Sequence, residues 1–252
     1  MGRNESKYIG LYNVNTKSSP MSHYYFDPIS KSYFPSVTTI LQATIPEPEG
    51  ITQWKLRNKN WKKMLTESST TGTLVHFTIL NPLADYTLDP SDLLPAYKWY
   101  SDTETKLELS SMMFNELVKK KKITFGFPRR VESKILNRKE RYSGKFDLCC
   151  PMSCPKIDNE KILFDIKTSS EVRETHLIQL GGYYAAFPDD EKPDRVAIIK
   201  ITPDSWKNPK LEAELHVYKK SQAENWAKQF IELARRFHNE NMEPADGIEN
   251  VD

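Results

Sequence analysis

Hydrophobic spacing changes character near residue 125. Before it, apolar side chains recur at helical intervals; after it they gather in short runs rich in Val, Ile and Phe, separated by turn signals. "SYFPSVTTIL" turns into a helix with Ser36 as its N-cap, ended by Pro46 and Pro48. From Gln53 to Leu65, the positions Trp54, Leu56, Trp61, Met64 and Leu65 predict one helix with a basic exposed side of Lys55, Arg57, Lys59, Lys62 and Lys63. "TGTLVHFTIL" predicts another, stopped near Pro82, and Ala96 to Lys122 a longer one. Residues 1–35 are rich in Tyr, Ser and Asn with no sustained period, and read as a mobile arm or a short hairpin. Residues 36–125 are then a helical portion.

The later runs "RRVESKIL", "RYSGKFDLCC", "KILFDIKTS" and "DRVAIIKIT" predict strands. Between the third and fourth, "THLIQLGGYYAAF" is helical in spacing despite its Gly pair, and a last helix spans about Ala223 to His238. A helix crossing between strands, with others on the faces, gives an α/β class: a mixed central sheet flanked by helices. Residues 126–252 carry this core and its C-terminal helix, and with the helical portion make one compact domain.

The chain has 252 residues, 38% of them hydrophobic and 11% aromatic, enough for a sizeable core. Its net charge of +2, with charged residues spread along it, excludes a uniformly positive coat. A polyanionic partner must meet a local patch. No run approaches the roughly 18 apolar residues of a membrane span, and no apolar signal segment opens the chain, so the expectation is a soluble, intracellular protein with no membrane partner. "MGRNES" fits the loose myristoylation pattern of Gly2 with Ser6, a short match that chance produces often. Cys149, Cys150 and Cys154 do not complete a four-thiolate site; a zinc site completed by His is the alternative to reduced thiols beside a strand end.

Candidate chemistry lies in "ILFDIKTSS". Side chains alternate across a strand, so Asp165 and Lys167 share one face while Phe164, Ile166 and Thr168 take the other. Upstream, "GKFDLC" places Asp147 in an apolar strand, after a Gly-Lys turn that begins at Gly144. A carboxylate on a buried strand needs a cation, a strong hydrogen-bond network or a proton. A divalent ion shared by Asp147 and Asp165 would satisfy both, and oxygen ligation favours Mg²⁺ or Mn²⁺. A D-x-K triplet alone is usually a solvated strand pair. Here it follows an Asp strand and a polar hairpin, Lys156 to Glu160, and precedes a helix with Gln179 and Tyr183 one turn apart.

Together, "GKFD", "LFDIKTS" and "QLGGYYAAF" resemble the PD-(D/E)XK nuclease superfamily in its RecB-like branch, which includes phage recombination exonucleases, CRISPR-associated nucleases and the mitochondrial genome maintenance exonuclease. "PSVTTIL" followed by "GTLVH" is similar to the helical region before the core of the phage and mitochondrial members. The resemblance covers roughly residues 33 to 200. It implies a restriction-endonuclease-like sheet in which Asp147, Asp165 and the Ile166 carbonyl bind the metal and Lys167 is the catalytic lysine. It also implies that Gln179 and Tyr183 line the DNA path, that His76 lies at the metal, and that Glu132, with Glu140 as the alternative, is the acid one strand earlier. Two features depart from relatives: no cysteine precedes Cys149, so no iron–sulfur cluster is expected, and Phe146-Asp147 replaces the PD of the name.

The implied activity is a metal-dependent deoxyribonuclease of replication, repair or recombination, an exonuclease acting on DNA ends with a leaning toward single strands. An endonuclease of the same fold and a non-catalytic nucleic-acid-binding module are the alternatives. No G-x-x-x-x-G-K-[ST] loop occurs, so ATP-driven unwinding falls to a helicase or recombinase partner. Lys119 to Lys122, the pair Arg129 and Arg130, and the basic side of the Trp54 to Lys63 helix are candidate phosphate contacts. Trp61, Trp99 and Tyr100 are candidate stacking platforms.

Overall fold

A computed structural model describes residues 24–84, 103–201 and 213–240. Strands β1 (Tyr24–Asp27) and β2 (Ser32–Pro35) form an antiparallel hairpin, followed by helices α1 (Val37–Thr44), α2 (Glu49–Arg57), α3 (Trp61–Leu80) and α4 (Thr103–Lys121). Then come β3 (Thr124–Phe125), β4 (Arg130–Asn137), β5 (Tyr142–Cys154), β6 (Ile157–Lys167), α5 (Glu174–Ala186), β7 (Arg195–Ile201), β8 (Ala213–Lys219) and α6 (Lys220–Asn239). The class is mixed α/β. β3 to β8 form a six-stranded sheet in the order β3-β5-β6-β7-β8, with β4 also on the outer side of β5. β6 and β7 run parallel and the other pairs antiparallel, and α5 makes the crossover that parallel strands require.

Each face of the sheet buries its own core. Val37, Ile40 and Leu41 of α1, Leu180 and Tyr184 of α5, and Ala227 and Phe230 of α6 pack on one face. Val75 and Ile79 of α3 with Met113, Phe114 and Leu117 of α4 pack on the other. The Gly pair of α5 follows from this packing. A Cβ on Gly181 would lie 2.4 Å from the Trp226 carbonyl carbon, and one on Gly182 would lie 2.9 Å from the Phe230 ring.

Several local expectations change. Ser36 does cap α1, accepting the Thr39 N–H at 3.0 Å. The single helix expected from Gln53 to Leu65 is two, because Asn58 leaves helical geometry and turns its side-chain amide onto the Trp54 carbonyl at 2.7 Å. α3 then runs unbroken through Gly72 and absorbs the separately expected "TGTLVHFTIL". The Ala96 to Lys122 helix is present as α4; Ala96 to Asp102 lie outside the described residues. Gly144 is no turn residue: it sits inside β5, paired with Ile135, and the turn lies earlier, at residues 138–141. The expected polar hairpin is present: β5 and β6 pair antiparallel through a two-residue turn at Pro155 and Lys156, and β6 already begins at Ile157.

The hairpin of β1 and β2 is tied down at both ends. Arg138 donates to both oxygens of the buried Asp27, each at 3.0 Å, and holds that carboxyl well below its ordinary range. At the other end Ser36 bridges to Ser143, at the start of β5.

Gly181→Ala sets a helix-propensity gain of about 1 kcal/mol against overpacking onto main chain, which costs about 1–3 kcal/mol or more and cannot relax by a rotamer change. The expected result in urea unfolding is a net loss near 2 kcal/mol. Gly50→Ala, with nothing within 4 Å of the new methyl group, is expected to be neutral or stabilising.

Candidate metal and catalytic site

The β5–β6 ladder runs down from the connecting turn and stops at Leu148 opposite Phe164. Beyond that pair the strands part. β5 continues with β4 as far as Tyr142, and β6 with β7 as far as Lys167. Asp147 is the first residue of β5 past the fork, and its Oδ2 accepts the Ile166 N–H at 2.6 Å. The strand also twists here: Phe146 packs in the α5-side core and Leu148 in the α3-side core, though residues two apart ordinarily share a face. On β4, Glu132 lies across from Asp147, between the pairs Val131 with Leu148 and Ser133 with Phe146, and has φ 45°. A glutamate in the left-handed region carries about 1–3 kcal/mol of strain, of the kind that collects at functional sites.

On the α3 side, His76 Nδ1 lies 3.3 Å from Asp147 Oδ1. One ligand atom from each of His76, Glu132 and Asp147 lies within 4.8 Å of the others. They line a cavity of about 190 Å³ with Thr73 and Lys145, whose ammonium pairs with Glu132. On the α5 side, Lys167 Nζ is 2.7 Å from Asp165 Oδ2 and donates to Gln179 Oε1 at 3.0 Å. Gln179 Nε2 donates in turn to Tyr183 Oη at 2.9 Å. The Tyr183 ring rests on Gly144, where a Cβ would lie 2.6 Å from Cε1.

The two aspartates are pushed apart in acidity. Burial moves Asp165 up to about 6, more than the Lys167 charge can offset. Burial acts on Asp147 in the same sense, but His76, Lys167 and the Ile166 N–H together hold it below its ordinary range. Asp165 Oδ2 is buried without an aligned hydrogen bond, despite the nearby ammonium. A donor set of carboxylates with one imidazole, beside an unsatisfied carboxylate oxygen, fits a hard divalent ion such as Mg²⁺ or Mn²⁺.

The structure therefore groups Asp147 with His76 and Glu132, and sets Asp165 against Lys167, outside that close trio. Ile166 donates its N–H to Asp147. Glu140 is engaged elsewhere, by Arg235 at 2.6 and 2.9 Å. Two residues at the site escaped the sequence reading. Both had a signal: Lys145 stands two residues before Asp147 on a strand, and Thr73, one turn before His76 on α3, lies within "GTLVH". Cys149 and Cys150 are buried free thiols, pushed by burial up to about 11 and about 12.

The candidate phosphate contacts divide. Lys119 to Lys122 are exposed at the end of α4. Arg129 is committed to the carbonyls of Phe125, Gly126 and Leu83, and Arg130 stacks on Phe146 and Phe187 and pairs with Glu191, so the arginine pair braces the fold. Lys55 and Lys62 flank the Trp61 ring at 4.8 and 5.5 Å. Trp99 and Tyr100 lie outside the described residues.

No protein-family model and no curated protein matches the chain. A solved structure described as SSO0001 is similar over 69% of this chain and 88% of its own, at 16% identity and a TM-score of 0.29.

Because burial holds the Asp165 carboxyl high, ionising it weakens the metal-free fold as pH rises from about 4 to about 6. Asp165→Asn escapes that loss. In EDTA at about pH 8 the variant is expected to exceed the wild type by on the order of 2 kcal/mol in urea unfolding, the gap closing below about pH 4. An equal gap at both pH values would remove the buried charge as its cause.

Proposed function

We propose that the chain is a divalent-metal-dependent deoxyribonuclease, an exonuclease that hydrolyses phosphodiester bonds at DNA ends and favours single strands. The observation that carries the reading is the fork between β5 and β6, where an acid-and-histidine trio stands beside a strand whose hydrogen-bonded lysine is close enough for its charge to act on Asp147. The likeness of "GKFD", "LFDIKTS" and "QLGGYYAAF" to the RecB-like PD-(D/E)XK nucleases supports it, and the preference for ends rests on that likeness alone.

His76, Glu132 and Asp147 would hold the ion, with Asp165 on the neighbouring strand as a further carboxylate. The ion supplies Lewis-acid polarisation of the phosphate and makes water a stronger nucleophile at neutral pH. The protein's own groups do the positioning. Gln179 holds Lys167 Nζ in place, and the ammonium orients the attacking water or balances charge that grows on the phosphoryl oxygens. Tyr183, packed on Gly144, fixes Gln179. Asp165 Oδ2, 2.7 Å from Lys167 Nζ, holds the ammonium from the other side. Duplex substrates would need a helicase or recombinase partner, inside whichever compartment holds the DNA. Among the described residues no helix is long and apolar enough to cross a membrane.

End-labelled single-stranded, duplex and closed circular DNA, incubated with Mg²⁺, Mn²⁺ or EDTA, test the reading. The wild type is expected to shorten linear single strands with either metal, to spare circles, and to stop in EDTA. Lys167→Ala is expected to slow cleavage by about 10²–10³-fold, the cost of removing one aligned charge stabiliser. Cleavage of circles would replace the exonuclease with an endonuclease, and binding without cleavage under every condition would leave a nucleic-acid-binding module.

A further inference from the structure

The cavity beside Asp147 holds a cation that the reaction outlined above does not use. Lys145 lines the same walls as Thr73, His76 and Glu132, and its ammonium pairs with the Glu132 carboxylate. Its side chain is 35% exposed against 12% for Glu132, so the carboxylate is enclosed while the lysine borders the opening. Glu132 thus serves two masters: it belongs to the trio suited to a divalent ion, and it is Lys145's partner.

Charge sets these roles in competition. Glu132, Asp147 and Asp165 stand against Lys145 and Lys167, which leaves one negative charge when His76 is neutral, as a ligand imidazole must be. A divalent ion turns that to one positive charge. A single phosphodiester group cancels it. Drawing the Glu132 carboxylate toward the ion also removes the lysine's partner, and an ammonium at the mouth of a cleft then needs a new anion.

We propose that Lys145 is a phosphate-binding residue of the substrate site, held by Glu132 in the metal-free protein and passed to a DNA phosphate when a divalent ion takes Glu132. The inference rests on the nuclease reading and adds to it a coupling between metal and DNA: each strengthens the other through one lysine. A lysine that merely neutralises Glu132 would show no such coupling.

The test uses the full chain carrying Lys167→Ala, which suppresses turnover, and a fluorescein-labelled oligothymidylate followed by anisotropy. Adding Lys145→Met is expected to weaken binding about tenfold in Mn²⁺ and less than about twofold in EDTA, the range of one charged hydrogen bond gained with the metal. In Mn²⁺ the salt dependence should lose about 0.7 from its slope, as for one phosphate contact to a single strand, and Lys145→Arg should restore most of both. Calorimetric titration with Mn²⁺ alone should show tighter metal binding by Lys145→Met, because Glu132 has lost a competitor. Lys145→Gln, which keeps a donor for Glu132, serves if the Met variant unfolds. Equal weakening with and without metal, or unchanged DNA and Mn²⁺ affinities, would overturn the assignment while cleavage by the wild type still stands. A wild type that neither binds nor cleaves the oligonucleotide would overturn both.

Discussion

The hydrogen bond from the Ile166 N–H to Asp147 Oδ2 is what allows the sheet to open where it does. Had the β5–β6 ladder continued, that donor would have met β5 main chain. A buried N–H left unpaired costs about 1–3 kcal/mol, so two strands cannot part in a protein interior unless something else takes the donor. A carboxylate takes it. The bond holds one Asp147 oxygen while the other lies 3.3 Å from His76, and the cavity beside it is lined by Glu132 and Lys145, with the Asp165 and Lys167 pair on the neighbouring strand.

The opening joins two environments that the sheet otherwise separates. α3 contributes an imidazole and a small polar wall; α5 contributes an amide and a phenol in series, which constrain a lysine without neutralising it. Two aspartates in neighbouring strands accordingly differ, one stabilised as an anion and one raised by burial, from the same residue type. A site of this kind stores unfavourable terms, in a left-handed glutamate and a poorly satisfied carboxylate, that the cores on both faces must outweigh.

Much of this was legible in the chain, and what was not has physical causes. Strand alternation is local, so the shared face of Asp165 and Lys167 and the one-turn spacing of Gln179 and Tyr183 could be read directly. The fork could not, because it depends on which strands pair and where they stop. For the same reason Gly144 read as a turn: its role is set by a ring on a helix almost forty positions later. The break at Asn58 turned on a side chain preferring a main-chain carbonyl to the next helical turn, a competition that apolar spacing does not register. Arg129 and Arg130 read as a basic patch because charge is visible in sequence, while the carbonyls and rings that occupy them are not.

Gly144 also carries a consequence of its own. From its bare Cα, contact passes to the Tyr183 ring, then to Gln179, then to Lys167, so the ammonium is located with reference to the main chain of the adjacent strand. Main chain in a paired strand is among the least deformable surfaces a protein offers, and glycine adds no rotamer to the sequence of contacts. Position 144 thus acts as a datum: drift in the loops or in the outer helices leaves the lysine's alignment intact, whereas sliding of α5 along β5 is transmitted to it undiminished.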